Sequence, residues 1–351
     1  MIKVAAITQG GYVPSARYRV RQLIPYLKEQ GILVTEYFPL YTLPPSLQAL
    51  PKGLRRFFSL SILPAKFFSR LMHLRKSNAF DIVWLQREMI EGYLTLESHI
   101  RPPVVFDVDD AIWLTNRDIR EKPSSFLKGV SCIAAGNKFL ANWFSKVNKN
   151  VIVVPTSVDT RRFIPAPKRK KWASFIIGWI GTSSNLSNLE LIERPLMNFF
   201  NRHPDSKLLL VSNAKPHFPK MGYKQVEFVK WSEGLEVSAI QEMDVGIMPL
   251  KDTEWTKGKC SFKMLQYMAC GVPVISSPVG MNREVFEKGQ IGLPVHSIDE
   301  WLGALEFFYK NRESAKKMGE EGRRVVISHY SSEVVSKILA RVFQSLGKTS
   351  K

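Results

Sequence analysis

The 351-residue sequence is 45% hydrophobic and 23% charged, an ordinary globular composition that is long enough for about two domains and has no internal repeat or low-complexity segment. Its three cysteines, Cys132, Cys260 and Cys270, are odd in number and show no CxxC spacing, which argues against a disulfide framework or a zinc site and fits a reducing cytosol. A formal net charge of +19, from 50 Lys and Arg against 31 Asp and Glu, calls for anionic partners such as nucleotide phosphates, anionic lipid headgroups or nucleic acid, and charge alone does not choose among them.

The N-terminal apolar run stops at a Gly pair and lacks a basic flank, so it reads as a first β-strand and not as a signal peptide. No uninterrupted apolar stretch is of membrane-spanning length, about 18 residues. Short runs rich in Val and Ile then recur between amphipathic segments: 4–8, 81–86, 104–107, 131–135 and 151–155, followed by 175–181, 207–212, 226–229, 245–249 and 272–276. Such runs predict parallel strands covered by helices on both faces, an α/β, doubly wound arrangement occurring twice. The expected domains are 1–158 and 172–330, joined by a Pro- and Lys-rich linker at 159–171 and followed by a C-terminal helix at 331–351 that packs back on the first domain.

After the first strand, Gly10 and Gly11 permit close backbone approach to a ligand, and Ser15, Arg17 and Arg19 at the next helix start attract phosphate or an anionic acceptor. TQGG does not satisfy the G-x-G-x-x-G fingerprint, so a dehydrogenase is disfavoured. Residues 51–76 interleave basic groups with the pairs Phe57-Phe58 and Phe67-Phe68. That pattern suits either an anionic membrane surface or a helix pair whose phenylalanines pack on the first domain.

Asp107, Asp109 and Asp110 end a buried strand, where three carboxylates are costly unless paired, hydrated or used. Asp109 and Asp110 either orient an acceptor hydroxyl or pair with Arg87 or Arg117. The D-x-D spacing also matches a divalent-metal motif, but a lysine-rich diphosphate site favours leaving-group stabilisation without metal, and no metal ligand is assigned. In the second half, Gly181, Thr182 and Ser183 mark a strand-to-helix turn whose amides could face phosphate. Trp231 follows a strand, where stacking and core packing both remain open. His203, His217 and His329 have no ligand-like spacing.

The richest segment is KCSFKMLQYMACGVPVISSPVG, 259–280, which reads as a helix opening near Ser261, a Gly271 cap and another buried strand. Lys259 and Lys263, four apart, are expected on one face of its first turn, poised to neutralise a diphosphate leaving group. Gln266 falls on about the same stripe, with an amide suited to ribose hydroxyls.

The stretch LQYMACGVPVISSPVG resembles the "LEAMACGxPVIASxxGG" region of retaining glycosyltransferases of family 4, and SARYRVRQLIPYL, FDIVWLQRE, VVFDVDDAIW, NKFLANWF, VPTSVDTRRF, IGWIGTSSN and a late EEGRRVVISHYSS fall in family order along the chain. The resemblance implies a GT-B fold, two Rossmann-like domains facing a central cleft. It further implies a nucleoside diphosphate sugar bound by the C-terminal domain, with Trp231 near the base, and an acceptor bound by the N-terminal one. Expected catalytic residues are Asp109, Asp110, Lys259 and Lys263; expected donor contacts are Gly11, Gly181, Thr182, Ser183, Trp231, Lys259, Lys263 and Gln266; expected acceptor contacts are Ser15, Arg17 and Arg19.

The chain departs from the family at Gln266 and Gly258, where glutamates are common, and at Asp109, where His is common. An Arg and a Lys that often follow the first strand of the second domain have no match in GTSSNLSNLE. By resemblance the setting is cytoplasmic synthesis of bacterial surface polysaccharide or lipopolysaccharide, on a glycan acceptor that is free or lipid-linked, with no cofactor and no nucleic acid. A nucleotide-sugar epimerase of the same fold and a non-catalytic basic binding module are the alternatives.

Overall fold

The structure, a computed structural model, describes residues 1–39, 52–91, 94, 96–120, 125–167, 174–215 and 223–349, without the side chains of 52–60, 117–118, 223 and 348–349. The chain divides into two compact units. One comprises Met1–Ser157, Gly258–Cys260 and Ser332–Lys351; the other comprises Val158–Lys257 and Ser261–Ser331.

In the first unit β1 (Ile2–Ile7), β2 (Ile32–Tyr37), β3 (Ile82–Gln86), β4 (Val104–Val108), β5 (Cys132–Ala135) and β6 (Val151–Val153) form a parallel sheet in the order β2-β1-β3-β4-β5-β6. β1, β3, β4 and β5 alternate apolar residues into two covered faces, which is why they read as continuous apolar runs. On one face Val4, Ala6, Trp84 and Val105 pack with Leu339 and Phe343 of the C-terminal helix Ser332–Thr349. The chain's connections leave β1 in opposite directions toward β2 and β3, so the loops after β1 and β3 flank a topological switch point.

In the second unit β7 (Ile176–Ile180), β8 (Lys207–Ser212), β9 (Val226–Lys230), β10 (Val245–Met248), β11 (Val274–Ser276) and β12 (Gly292–Pro294) order as β12-β11-β10-β7-β8-β9, also parallel. Phe175, Ile177, Trp179, Leu208 and Ile247 build one core with the helices Glu193–Arg202 and Glu300–Lys310. On the other face, a Cβ on Gly246 would stand 2.3 Å from the Tyr267 ring, so only glycine lets helix Phe262–Ala269 lie this close to β10. Here the switch point falls between β7 and β10.

Three expectations change. Two strands went unrecognised: the edge strand β2, with burial on only part of one face, and β12, only three residues long and containing Pro294. The stretch beginning at 159 is not a loose linker as far as 167. Phe163 is buried, Arg162 pairs with Glu236, and Arg323 donates to the carbonyls of Thr160, Phe163 and Ala269, which holds the stretch within the second unit. Its remainder, 168–171, lies outside the described residues. Finally, 52–77 forms one 26-residue helix rather than a pair, with Pro64 inside it.

Candidate functional site

In the second unit the site is built around the end of β7. The Tyr267 hydroxyl accepts from the Ile180 N–H at 2.9 Å, seating helix Phe262–Ala269 beside that strand end. The helix opens at Ser261, whose φ of 53° is left-handed, and whose Oγ donates to Asn282 Oδ1 at 2.6 Å. Asn282 in turn donates to Ser276 Oγ at 2.7 Å, so a buried polar chain fixes the helix start to the end of β11. Lys263, second residue of the helix, holds its ammonium 4.6 Å above the Trp179 ring. Gly181 makes the room: a Cβ there would lie 2.4 Å from Lys263 Cε and 2.8 Å from the Trp179 ring. An ammonium over an aromatic face is attracted by the ring's negative quadrupole, which holds Lys263 beside the end of β7.

Gln266, one turn on, is 3% exposed, and among the described residues its side-chain amide makes no hydrogen bond. Trp231, at the end of β9, keeps 37% of its surface exposed, while its indole N–H donates to Glu236 at 3.2 Å. Glu236 is fully buried and ion-paired to Arg162, so the indole is held by a charged pair and presents its free area outward.

Two donor expectations need correction. Lys259 precedes the helix and does not share a helical face with Lys263, because the left-handed Ser261 breaks the periodicity between them. Lys259 groups with the first unit, where Asn137 Nδ2 donates to its carbonyl at 3.1 Å. In the β7 turn, the Gly181 N–H is spent on Val211 O at 3.0 Å and the Ser183 N–H on Asn213 Oδ1 at 2.8 Å. Among the described residues, the Thr182 and Ser184 amides make no backbone bond, while the Thr182 hydroxyl accepts from Asn185 at 2.8 Å. Asn213, absent from the sequence reading, therefore shapes the turn; its place just after β8 is the signal that could have found it.

In the first unit the acidic cluster sorts itself by burial. Asp107 is fully buried and takes a bidentate pair from Arg19, Nε to Oδ1 and Nη2 to Oδ2, both 2.9 Å. Arg19 also donates to Val154 O at 2.6 Å. Arg19 was expected to meet an acceptor; it is 2% exposed and committed to Asp107, because desolvating a guanidinium demands a carboxylate at its head. Arg87, in a left-handed conformation with φ 59°, bridges Asp109 at 2.6 Å and Asp110 at 2.5 Å. Burial works to raise the Asp109 carboxyl, but the Arg87 guanidinium outweighs it and the net shift is downward. Asp110 goes the other way, pushed up by burial despite Arg87, with the Asp109 charge adding to the rise and Lys259 opposing it.

Gly258, where the family has a glutamate, is a tight approach: a Cβ would stand 2.8 Å from the Ala111 amide nitrogen. The Cys260 thiol, buried against Asp109 O, is driven well above its ordinary range by burial. Gly11 lies under the Phe38 ring, and its carbonyl accepts from Arg21 at 3.1 Å. Ser15 is half-buried, and Arg17 lies 4.9 Å over the Tyr18 ring and donates to its hydroxyl at 3.1 Å. Of the three acceptor candidates, Ser15 and Arg17 keep partial exposure. Arg117's side chain and His217 lie outside the described residues. Among the described residues no group of three or more metal-ligating side chains converges.

Residues 174–311 match the family model for Glycosyl transferases group 1. This stretch is similar to a group 1 glycosyltransferase domain. It contains β7 to β12 and with them Gly181, Trp231, Lys259, Lys263 and Gln266. A curated relative, spore coat protein SA of Bacillus subtilis (strain 168), is 21% identical over 186 residues, a match covering 48% of this chain and 48% of that protein. The chain thus spans about half the length of the curated relative it matches.

Among solved structures, sucrose-phosphate synthase from Thermosynechococcus elongatus aligns with TM-score 0.74 at 16% identity over 99% of this chain and 100% of that one. Anabaena Alr3699/HepE, solved in complex with UDP and glucose, aligns with TM-score 0.71 at 12% identity over 98% and 100%. A glycosyltransferase from Rickettsia africae aligns with TM-score 0.72 at 14% identity, over 98% of each chain. At these identities the likeness establishes the fold, and the two parallel six-stranded sheets are those of a GT-B chain. The family-4-like resemblance carried by 259–280 is thereby borne out.

Proposed function

We propose that this protein transfers a sugar from a nucleoside diphosphate sugar to an acceptor hydroxyl, with retention and without a metal. The observation that carries this reading is Lys263, whose ammonium stands over Trp179 beside Gly181 at the switch point of the group 1 domain. In the reaction the bond from the anomeric carbon to the diphosphate oxygen breaks, and the electron pair leaves with the diphosphate. The acceptor oxygen bonds the anomeric carbon, and its proton goes to the departing phosphate. A fixed cation where that charge develops lowers the barrier without reorganising. Lys263 does this; the Thr182 and Ser184 amides add fixed dipoles, Gln266 takes the ribose hydroxyls and Trp231 offers its exposed face to the base.

Asp109 and Asp110 are held by Arg87, so a guanidinium already occupies the position a divalent ion would need between them. That supports the metal-independent route over the D-x-D one. The acceptor is a glycan, carried on lipid at the inner face of the cytoplasmic membrane in surface polysaccharide or lipopolysaccharide assembly. Nucleotide phosphates and anionic lipid, not nucleic acid, account for the charge of +19.

The test is a thermal-shift screen against UDP-, GDP-, ADP- and CDP-linked sugars, with and without chelator, on the wild type and on Lys263→Ala. A ligand that binds only the folded state must raise its apparent stability. The expected result is a shift with one base, unchanged by chelator, and a turnover loss of about a hundredfold or more in K263A with little change in its own Tm. A shift that vanishes with chelator, or near-normal K263A turnover, overturns the assigned site.

A further inference from the structure

The long helix Lys52–Ser77 is mounted the wrong way round for an ordinary surface helix. Such helices turn their apolar stripe toward the core and their polar one toward water. Here the buried side carries Ser69, Arg70 and Ser77 beside Leu74, while Leu63, Phe67, Phe68 and Met72 stand 37%, 42%, 64% and 37% exposed.

The inward side is firmly bolted. Arg70 donates through Nε to Met89 O at 2.8 Å and through Nη2 to Thr8 O at 2.7 Å, tying the helix to the loops after β3 and β1. Its Nη1 is buried without a partner and burial lowers the guanidinium to about 10, so this mounting is costly. A fold that buries an arginine and exposes two adjacent phenylalanines has an outer face built for something other than water.

The charge of the helix says which occupant fits. Over residues 52–77 the sequence holds seven Lys and Arg and no Asp or Glu, and Arg75 and Lys76 are exposed at the C-terminal end of the apolar face. A second copy of the same face would set the exposed Arg75 and Lys76 against like charges, with no Asp or Glu on the helix to receive them. An anionic bilayer accepts both halves of the pattern, rings in the headgroup and acyl boundary and cations against lipid phosphate. Among the described residues no helix is long and apolar enough to cross a membrane, so the contact is a surface one.

We propose that the outward face of helix Lys52–Ser77, centred on Phe67 and Phe68, docks this protein on an anionic lipid bilayer. The proposal gives the membrane setting of the proposed function its surface. Its test uses neither donor nor acceptor, so failure here leaves sugar transfer standing.

The experiment is co-sedimentation of the full chain with vesicles of phosphatidylcholine alone and of phosphatidylcholine with phosphatidylglycerol in equal parts, at low and high salt. The wild type is expected to sediment with the anionic vesicles only, less as salt screens the cations. Phe67→Ser with Phe68→Ser should weaken partition by about tenfold or more, since apolar area no longer leaves water. Arg75→Glu with Lys76→Glu should erase the preference for the anionic vesicles. All four side chains are exposed, and an unchanged Tm for both variants excludes misfolding as the cause. Three results would overturn the proposal: no sedimentation of the wild type at low salt, equal binding by wild type and F67S/F68S, or a dimer lost in F67S/F68S with no vesicle binding.

Discussion

Gly181 and Gly258 show how much a missing Cβ decides. At Gly181 the side chain that would appear on substitution to Ala meets Lys263 Cε at 2.4 Å, and the flexible lysine, not the backbone, must give way. Gly181→Ala is therefore expected to lower kcat/KM by about tenfold or more through a displaced ammonium, with only a small change in Tm; steady-state kinetics beside a melting curve separates the two. At Gly258 the obstacle is the Ala111 backbone, 2.8 Å away, which cannot yield so cheaply. Gly258→Glu, which restores the residue common in the family, should cost about 1–3 kcal/mol of stability in denaturant unfolding and bring no gain in turnover. The glycine at this position is a packing requirement of Gly258–Cys260 against the first unit.

At the scale of the element, helix Lys52–Ser77 carries a titrating group that reports its seating. His73, half-buried beside Tyr37 at 5.4 Å between ring centroids, has Nδ1 buried without a partner. Burial, with the charges of Arg70 and Lys76, lowers it from 6.5 to about 4. The folded state thus holds the imidazole neutral over a range in which the unfolded chain protonates it. Stability from this group is complete above pH 6.5 and is lost as pH falls toward about 4. A Tm series across that window should slope downward toward acid in the wild type and more gently in His73→Gln; parallel slopes would place the titration elsewhere. The periodicity of 52–77 announces a helix, but its orientation is not in the period, since apolar and basic residues occur on both sides of it.

For the molecule as a whole, each unit has its own core, and the first is also held by a buried ion pair. In the first, Arg19 and Asp107 join helix Pro14–Arg19 to the end of β4, with Val154 O as a third point. Asp107→Asn would leave a buried guanidinium facing a neutral amide, and a loss of about 3–5 kcal/mol is expected. Because two cores need not melt together, the loss should appear in the unfolding step that hydrogen exchange assigns to β1–β6, leaving the step of β7–β12 unmoved.

The sequence by itself determined ten of the twelve strands among the described residues, the α/β class and the group 1 segment, because buried parallel strands write themselves as short Val- and Ile-rich runs whatever their neighbours. β2 and β12 escaped because an edge strand is only partly buried and a three-residue strand has no period to read. The helix that carries Lys263 and Gln266 was legible for the same local reason, one helix beside one strand. The fate of the charges was not. Arg17 and Arg19 are two residues apart with the same side chain, yet one keeps partial exposure over Tyr18 and the other is sealed on Asp107, 88 positions away. Lys259 and Lys263 look equivalent until a left-handed Ser261 parts them. Which cation is buried, which carboxylate it meets and which face of a helix turns outward depend on strands brought side by side from distant parts of the chain, and only the tertiary structure decides that.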